Sequence, residues 1–359
     1  MYLVTNGRLI TRDPDGKGYY EHGAVAYEGS QIVEVGEESA LRAKYADAEI
    51  IDAKGGVIMP ALINAHTHIY SALARGLSIV GNNPTNFYEV LDGTWWAIDR
   101  HLMMDGTRAS ATALYMDSIK QGVTTIFDHH ASYGEIPGTL HTIAEESKRL
   151  GLRSCLCYEV SDRDGEEKCL QAIQENADFI SECEKNKDPM LAAMFGGHAL
   201  FTISDKTFDR MVEANNGRTG YHIHVSEGMN DVYDSLQNYG RRPVQRLQDH
   251  GILGEKTILG HCIHVNTAEM EIIKETGTMV VNNPESNMGN AIGICPVLQL
   301  HKRGILLGMG TDAYTNDMLE SLKVALCSQR SQNCLPNVGW CEVTDMLFRN
   351  NAKIGEKYF

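Results

Sequence analysis

Two histidines separated by a single residue are the first feature of the sequence that could do chemistry. His66 and His68 close the segment Ile63-Asn64-Ala65-His66-Thr67-His68, at the end of an apolar run at residues 56–63. Side chains alternate faces along a strand, so both imidazoles are expected to point the same way. Two imidazoles aimed at one point suit a metal ion, although such a pair also occurs as a simple polar rim. The pair alone leaves both interpretations open.

His224 and Asp312 could complete a set of metal ligands with this pair. His224 ends the segment at residues 220–224, and Asp312 follows Gly310 and Thr311. Three imidazole nitrogens and one carboxylate oxygen leave a coordination position for water, which is the arrangement of catalytic rather than structural metal sites. A metal held in this way lowers the pKa of its water towards ~7.

A hydrolytic site also needs a group that moves protons. Glu227 lies three residues after His224 and is the best candidate, although a glutamate at the start of a helix is a common alternative. His261 could hydrogen-bond the attacking water and stabilise charge in the transition state. His222 is expected to face away from the metal or to pack in the core. Three more histidines fit either a supporting position or the wall of the site: His129, His130 and His264.

Eight short apolar runs alternate with amphipathic segments from residue 56 onward. The runs cover residues 57–63, 123–127, 153–158, 191–195, 221–225, 257–259, 278–281 and 305–309. Helical periodicity is clear in the intervening segments 140–150, 166–184, 205–215 and 267–276. This alternation predicts a (β/α)₈ TIM barrel, with a doubly wound parallel sheet as the competing fold.

The positions of the polar residues favour the barrel, because such residues follow six of the runs. They are His66 and His68, His129 and His130, His198, His224 and Glu227, His261, and Asp312. In a barrel the carboxyl ends of all strands meet at one mouth, where active sites form. Any one of these residues could be an isolated surface residue. That explanation does not account for polar residues at the ends of six of the eight runs.

The first 55 residues differ from the rest and predict a small, incomplete β-sandwich half-domain. Short strands, among them 31–36 and 49–52, are separated by turns such as the one at residues 13–16. The barrel domain is then expected to cover residues 56–359.

The composition is typical of a freely soluble globular protein, with 43% hydrophobic and 22% charged residues among 359. A net charge of -15 argues against nucleic-acid binding, which needs a basic surface. The sequence shows neither a signal-peptide pattern at its start nor an apolar run near the ~20 residues of a membrane span, so no membrane partner is expected. Nine cysteines, the first at Cys155, favour a reducing, cytoplasmic location.

Together these motifs resemble the amidohydrolase superfamily, in particular its cytosine-deaminase-like branch of triazine hydrolases and guanine or adenosine deaminases. The matching segments run from end to end: Pro60-Ala61-Leu62-Ile63-Asn64-Ala65-His66-Thr67-His68, Gly197-His198-Ala199-Leu200-Phe201-Thr202, His222-Ile223-His224-Val225-Ser226-Glu227, Gly260-His261-Cys262, Asn283-Pro284-Glu285-Ser286-Asn287-Met288, Gly293-Ile294-Cys295-Pro296-Val297 and Gly308-Met309-Gly310-Thr311-Asp312. Residues 91–102 and Asp128-His129-His130-Ala131-Ser132 look most like the group of aminohydrolases called SsnA.

The resemblance implies one divalent metal, with Zn²⁺ as the expected ion and Fe²⁺ or Mn²⁺ as alternatives that the same ligands accept. Its ligands would be His66, His68, His224 and Asp312. Relatives with two metals carry a carboxylated lysine at the end of strand four, where this chain has Phe195-Gly196-Gly197-His198. The missing lysine favours a single metal.

The resemblance also implies roles for the other residues. Glu227 would shuttle protons, His261 would polarise the nucleophilic water, and Asp312 would serve catalysis as well as the metal. Substrate contacts would come from His198, Ser286, Asn287 and Trp95. Trp95 and Trp96 lie in a connection too long for an ordinary βα loop, and they either stack on a flat substrate or pack against an outer helix or an oligomer contact.

Two departures from the family pattern stand out. Relatives usually have Pro-Gly in the first barrel strand, where this chain has Pro60-Ala61. Relatives also continue with strands that return to the N-terminal β layer, whereas this sequence stops at Phe359. The β layer is therefore expected to be incomplete, with exposed strand edges.

The expected function is hydrolytic deamination of an aminated purine, pyrimidine or triazine with release of ammonia. Hydrolysis with chloride, an alkylamine or a cyclic amide as the leaving group is the second interpretation. A non-catalytic metal-binding relative is the third, because fold alone does not determine function. The resemblance implies a small heterocyclic substrate and a homo-oligomer, taken as a dimer.

Overall fold

A five-stranded sheet makes up the first of two compact units, Met1–Ala61. In this computed structural model its elements are β1 (Tyr2–Ile10), β2 (Tyr19–Glu28), β3 (Gln31–Glu37), α1 (Glu38–Lys44), β4 (Glu49–Asp52) and β5 (Val57–Ile58). The strand order is β3-β2-β1-β4, and β5 also pairs with β1. The structure describes residues 1–13 and 16–359, so the middle of the predicted turn at residues 13–16 lies outside the described residues.

One face of this sheet is covered by α1. Leu41 of the helix packs against Leu3, Ala24 and Ala26, and each of these side chains is buried. Alternate residues of β1 and β2 point towards the helix, as the two-residue period of a strand requires. The described residues of the unit thus form a small sheet with a helix on one side.

The second unit, Leu62–Phe359, consists of parallel strands alternating with helices. Its strands are β6 (Leu62–Thr67), β7 (Val123–Asp128), β8 (Arg153–Leu156), β9 (Leu191–Ala193), β10 (Phe195–Ala199), β11 (Tyr221–Val225), β12 (Ile258–His261), β13 (Met279–Asn282) and β14 (Leu307–Met309). Its helices are α2 (Phe87–Val90), α3 (Trp96–His101), α4 (Met104–Lys120), α5 (Thr139–Leu150), α6 (Glu166–Asn186), α7 (Asp205–Asn215), α8 (Met229–Tyr239), α9 (Pro243–Asp249), α10 (Thr267–Glu275), α11 (Pro284–Gly289), α12 (Val297–Lys302), α13 (Met318–Asn333), α14 (Trp340–Asp345) and α15 (Asn351–Gly355).

These strands run in chain order, β6-β7-β8-β9 in one sheet and β10-β11-β12-β13-β14 in another. β9 and β10 are separated only by Met194 and together occupy the fourth strand position. Parallel bridges join the two sheets, between Val160 and Gly197 on one side and between Thr67 and Asp312 on the other. The predicted (β/α)₈ barrel class, with a small N-terminal β unit, is confirmed.

The first predicted barrel strand differs in its boundaries. The run at residues 57–63 is divided into β5, which pairs with β1, and β6, which pairs with β7. Pro60 lies between them, and a proline has no N–H to donate to a strand ladder. The compact units accordingly divide after Ala61, whereas the sequence analysis placed the domain boundary after residue 55.

Small and apolar side chains fill the inside of the second unit beneath its polar strand ends. They include Ala65, Phe127, Met194, Met279 and Val281, which form one buried cluster. This packing fixes the strands that carry the candidate site. Among the described residues, no helix is both long enough and apolar enough to cross a membrane.

We expect Gly220→Ala to destabilise the protein by about 1–3 kcal/mol, because overpacking forces the backbone to shift. A Cβ at Gly220, just before β11, would lie 1.9 Å from the carbonyl oxygen of Lys256. Gly254→Ala is the matched control, since a Cβ there meets nothing within 4 Å. Urea denaturation of both variants measures the difference in the free energy of unfolding. Equal stability of the two variants would contradict the close approach.

Candidate active site

The predicted metal-binding and proton-transfer residues meet at the carboxyl ends of the parallel strands. His66 and His224 lie within β6 and β11, and His261 is the last residue of β12. His68 follows directly after β6, and Asp312 lies three residues after the end of β14. All five side chains are buried, none more than 8% exposed. The strand ends therefore place five polar groups at one mouth, as expected for a barrel.

Three of these imidazoles turn their Nε2 atoms towards a common point. The ring centroids of His66, His68 and His224 are 5.0, 5.1 and 5.2 Å apart. The Nδ1 atoms of the three rings contact, in that order, His222 Nε2 at 2.8 Å, the His129 carbonyl oxygen at 2.6 Å and the His198 carbonyl oxygen at 2.9 Å. Donation of the Nδ1 hydrogen to these acceptors leaves a lone pair on each neutral Nε2.

Asp312 adds a carboxylate to this cluster. Its Oδ1 lies 2.9 Å from His68 Nε2 and 3.7 Å from His66 Nε2, and its Oδ2 accepts a hydrogen bond from the Ser286 hydroxyl. The backbone of Asp312 has a φ of 56°, and that of His261 has a φ of 67°. Such left-handed residues are costly and cluster at functional sites, because surrounding structure must hold them there.

The donor set fits a divalent metal ion. His66 Nε2 is buried and has no hydrogen-bond partner, although a lone pair inside a protein ordinarily finds one. His224 Nε2 lies 3.2 Å from His68 Nε2, so the potential ligand nitrogens of two imidazoles meet at one point. A cation between three imidazole nitrogens and one carboxylate oxygen satisfies all four atoms. One buried group of His66, His224, His261 and Asp312 also has ligand atoms within 4.8 Å of one another.

Burial and the Asp312 carboxylate act in opposite directions on the pKa values of the imidazoles. Burial lowers the pKa of His66 to about 4. Burial also lowers the pKa of His68, but the hydrogen bond to Asp312 and its negative charge outweigh it and raise the value to about 9. For Asp312, the opposing effect of burial is outweighed by its contacts with the imidazoles of His66 and His68, which hold its pKa well below the ordinary range. The carboxylate is therefore ionised, as a metal ligand must be.

Glu227 and His261 stand beside this cluster. Glu227 Oε1 lies 3.5 Å from His261 Nε2, and His261 Nε2 lies 3.7 Å from Asp312 Oδ2. Burial raises the pKa of Glu227 well above its ordinary value, and the negative charge of Asp312 adds to this effect. A carboxyl group with a raised pKa can both take up and release a proton near neutral pH. The arrangement suits a proton shuttle.

Asn287 fixes the orientation of His261. Its Oδ1 accepts a hydrogen bond from His261 Nδ1 at 2.7 Å, and Asn283 Nδ2 lies 3.3 Å from His261 Nε2. Asn287, predicted from the sequence to contact substrate, is not among the described residues that line the cavity. Its position makes it a support for His261.

A cavity of about 480 Å³ opens onto the site. Its lining includes His198, Trp95, Trp96 and Ser286, three of which were predicted as substrate contacts. Trp96 is 5% exposed and lies against Tyr88, Phe201 and His198, whereas Trp95 is more exposed. Both indoles thus border the cavity, and Trp96 is also part of a buried aromatic cluster.

The four histidines with open interpretations take supporting positions. His222 Nε2 contacts Nδ1 of His66, and His129 Nε2 donates to the backbone carbonyl oxygens of Gly197 and His222. His130 contacts the Ser132 hydroxyl, and His264 contacts the carbonyl oxygen of Ile292. None of these four is among the described residues that line the cavity.

Glu159 was not identified from the sequence. It follows β8, is 3% exposed and lines the cavity, with Oε1 3.3 Å from His198 Nε2. The rule that found the other residues also applies here, because Glu159 directly follows the apolar run at residues 153–158. Acidic residues after strands are common, so only its place in the cavity lining distinguishes Glu159 from the others.

Comparisons with known proteins identify the family of this chain. The model of the amidohydrolase family matches residues 57–345. The 5'-deoxyadenosine deaminase of Methanosarcina barkeri (strain Fusaro) is 30% identical over 328 residues, which are 90% of this chain and 72% of the relative. The 5-methylthioadenosine/S-adenosylhomocysteine deaminase of Syntrophobacter fumaroxidans is 31% identical over 313 residues, which are 86% of this chain and 68% of the relative.

Solved structures share the fold. A zinc-bound adenosine deaminase from Xanthomonas campestris has a TM-score of 0.81 at 22% identity, covering 98% of this chain and 79% of that one. Guanine deaminase from E. coli has a TM-score of 0.84 at 18% identity, covering 99% and 84%.

Proposed function

The chain belongs to the amidohydrolase family, and from that premise we propose that it is a metal-dependent hydrolytic deaminase of an aminated N-heterocycle. The observation that carries the proposal is the convergence of three imidazole Nε2 atoms and one carboxylate beside Glu227. Three neutral nitrogens and one oxygen leave room for water at a metal, and a carboxyl group with a raised pKa stands next to it.

We assign the metal to His66, His68, His224 and Asp312. When bound there, a divalent ion supplies Lewis acidity that makes water more acidic. Zn²⁺ is the proposed ion, because imidazole and carboxylate ligands suit it and because a solved structure of the same fold is described with bound zinc. Fe²⁺ and Mn²⁺ accept the same ligands, and elemental analysis of the purified protein distinguishes the three.

The side chains of the chain can move the protons that deamination requires. Glu227 Oε1 accepts a proton from the attacking water and delivers it to a ring nitrogen of the substrate. His261, held by Asn287, stabilises the charge that develops on the oxygen. The hydroxyl proton of the tetrahedral intermediate then passes to the amino group, the C–N bond breaks with release of ammonia, and the product keeps the oxygen as a carbonyl. His198, Trp95 and Ser286 line the cavity in which the flat ring is proposed to lie.

Nucleosides of the 5'-deoxyadenosine type are the first substrates to test, because the relatives at 30–31% identity are named for them. The zinc-loaded protein is incubated with 5'-deoxyadenosine, 5'-methylthioadenosine, guanine, cytosine and aminotriazines. We expect one of them to release one ammonia per molecule of oxygenated product. Chloride, an alkylamine or a ring-opened product in place of ammonia would contradict deamination. Full metal content without any turnover would instead support a non-catalytic protein.

We further propose a homodimer in the cytoplasm. The acidic composition and the nine cysteines, none of which forms a disulfide among the described residues, are compatible with a reducing compartment. Light scattering on the purified protein measures its molar mass in solution, and the mass of a monomer would contradict the dimer.

A further inference from the structure

The cavity above the metal ligands is acidic. Four carboxylates line it: Asp99, Glu159, Glu227 and Asp312. Among the described residues of its lining there is neither a lysine nor an arginine. The proposed chemistry uses Glu227 and Asp312, so the other two carboxylates have no role in it.

Asp99 is already paired on one side. Its Oδ2 lies 2.6 Å from Arg163 Nη2, and the guanidinium of Arg163 stacks over the rings of Trp96 and Tyr133. Arg163 lies outside the cavity lining, and its charge is engaged by Asp99. The other carboxylate oxygen of Asp99 is buried without a hydrogen-bond partner. Burial raises the pKa of Glu159 and the charge of Arg163 opposes this rise, but among the described residues Arg163 forms its ion pairs with Asp99 and Asp164 and not with Glu159.

The protein offers Glu159 few donors. The Thr202 hydroxyl donates to the Ala199 carbonyl oxygen and therefore accepts the Nδ1 hydrogen of His198. Neutral His198 thus turns a lone pair at Nε2, not a hydrogen, towards Glu159 Oε1. His224 Nδ1 lies 4.0 Å from Glu159 but donates to the His198 carbonyl oxygen. An acceptor that the protein leaves unfilled in a substrate cavity is suited to a donor on the substrate.

We infer that Glu159 is a specificity residue that accepts a hydrogen bond from an N–H or O–H group of the substrate. The cavity then takes neutral or cationic heterocycles and rejects those that carry a carboxylate or phosphate. Beside Glu159, an anionic substituent would meet repulsion that no lysine or arginine of the described cavity lining offsets. This inference rests on the proposed deaminase function and names its substrate class.

Three nucleosides that carry small 5' groups of different charge provide the test. They are 5'-deoxyadenosine, which is neutral, 5'-amino-5'-deoxyadenosine, which is cationic, and adenosine-5'-carboxylate, which is anionic. We expect kcat/KM for ammonia release to be highest for the cationic or neutral compound. The anionic compound is expected to be at least about tenfold poorer, since like charges placed together in an interface are strongly unfavourable. If the substrate screen finds a free base instead, the same three charges are placed on its ring substituent.

The variant Glu159→Gln tests whether Glu159 causes the preference for cationic over anionic compounds. Glutamine keeps the size of the side chain and removes its charge, so the ratio of kcat/KM for the cationic and anionic compounds is expected to fall by about tenfold. Because the ratio is measured within one preparation, it does not depend on the fraction of folded protein. Glu271→Gln, an exposed glutamate paired with Arg303, is the matched control and should leave the ratio unchanged.

The outcomes separate this inference from the proposed function. Equal rates for the anionic and cationic compounds in the wild type would overturn the substrate class while leaving deamination intact. An equal loss for all three compounds in Glu159→Gln would show that Glu159 only orients His198. Failure of every heterocycle in the screen to release ammonia would refute the function, and this inference with it.

Discussion

Glu227→Gln is expected to keep the metal and to lower kcat by about 10²–10⁴-fold, the contribution typical of a positioned general acid or base. Glutamine has nearly the same shape as glutamate but cannot carry the proton from water to the ring nitrogen. Glu227 touches His261 at 3.5 Å and is not one of the four proposed ligands. Elemental analysis of the metal content therefore reports on the four proposed ligands, whereas kcat for ammonia release reports on Glu227.

The stability of this variant provides an independent check. Burial and the charge of Asp312 raise the pKa of Glu227, so the ionised carboxylate is unfavourable in the folded protein. Glutamine removes this cost, and the melting temperature is expected to stay the same or rise, as is common when a functional charge is removed. Full activity with bound metal would reject Glu227 as the shuttle. A fall in both metal content and melting temperature would point to a structural role.

Local sequence patterns were enough to predict the fold class and the residues that meet at the proposed site. The two-residue spacing of His66 and His68 is a property of one strand, and the same phase recurs at His224, His261 and Asp312. Once alternating strands and helices indicate a barrel, its geometry brings together residues that are distant in the chain, such as His68 and His224, which are 156 positions apart. No contact had to be known in advance, because all the strand ends point to one mouth.

The sequence did not predict which neighbouring groups several of the side chains contact. Asn287 was predicted to contact substrate, and the sequence did not indicate that its amide oxygen would accept a hydrogen bond from His261 Nδ1. His222 was expected to face away from the metal or to pack in the core; it is fully buried, and the sequence did not indicate the contact of its Nε2 with Nδ1 of His66. Glu159 follows a strand in the same phase as the other residues but has no distinctive motif. These details depend on rotamers and loop paths, which local patterns do not determine.

Removal of both His66 and His68 tests the metal site itself. His66→Ala/His68→Ala takes away two of the four proposed ligands, so metal affinity is expected to fall by more than the ~10–100-fold typical of losing an outer hydrogen-bond partner. Activity should fall with it to the level of the metal-free protein. Elemental analysis after dialysis against buffered Zn²⁺ measures the first effect without reference to turnover.

His198→Ala is the control for this double variant. Its ring also lies in the cavity, but its Nε2 faces Glu159 and not the ligand cluster, so the variant should keep its metal even if substrate binding weakens. In wild type and control, free Zn²⁺ at 100 times Kd should raise the free energy of unfolding by about 2.7 kcal/mol, since a ligand that binds only the folded state stabilises it. The double variant should gain nothing. An equal gain in the double variant would place the metal elsewhere, because the pair at His66 and His68 would then contribute no binding energy.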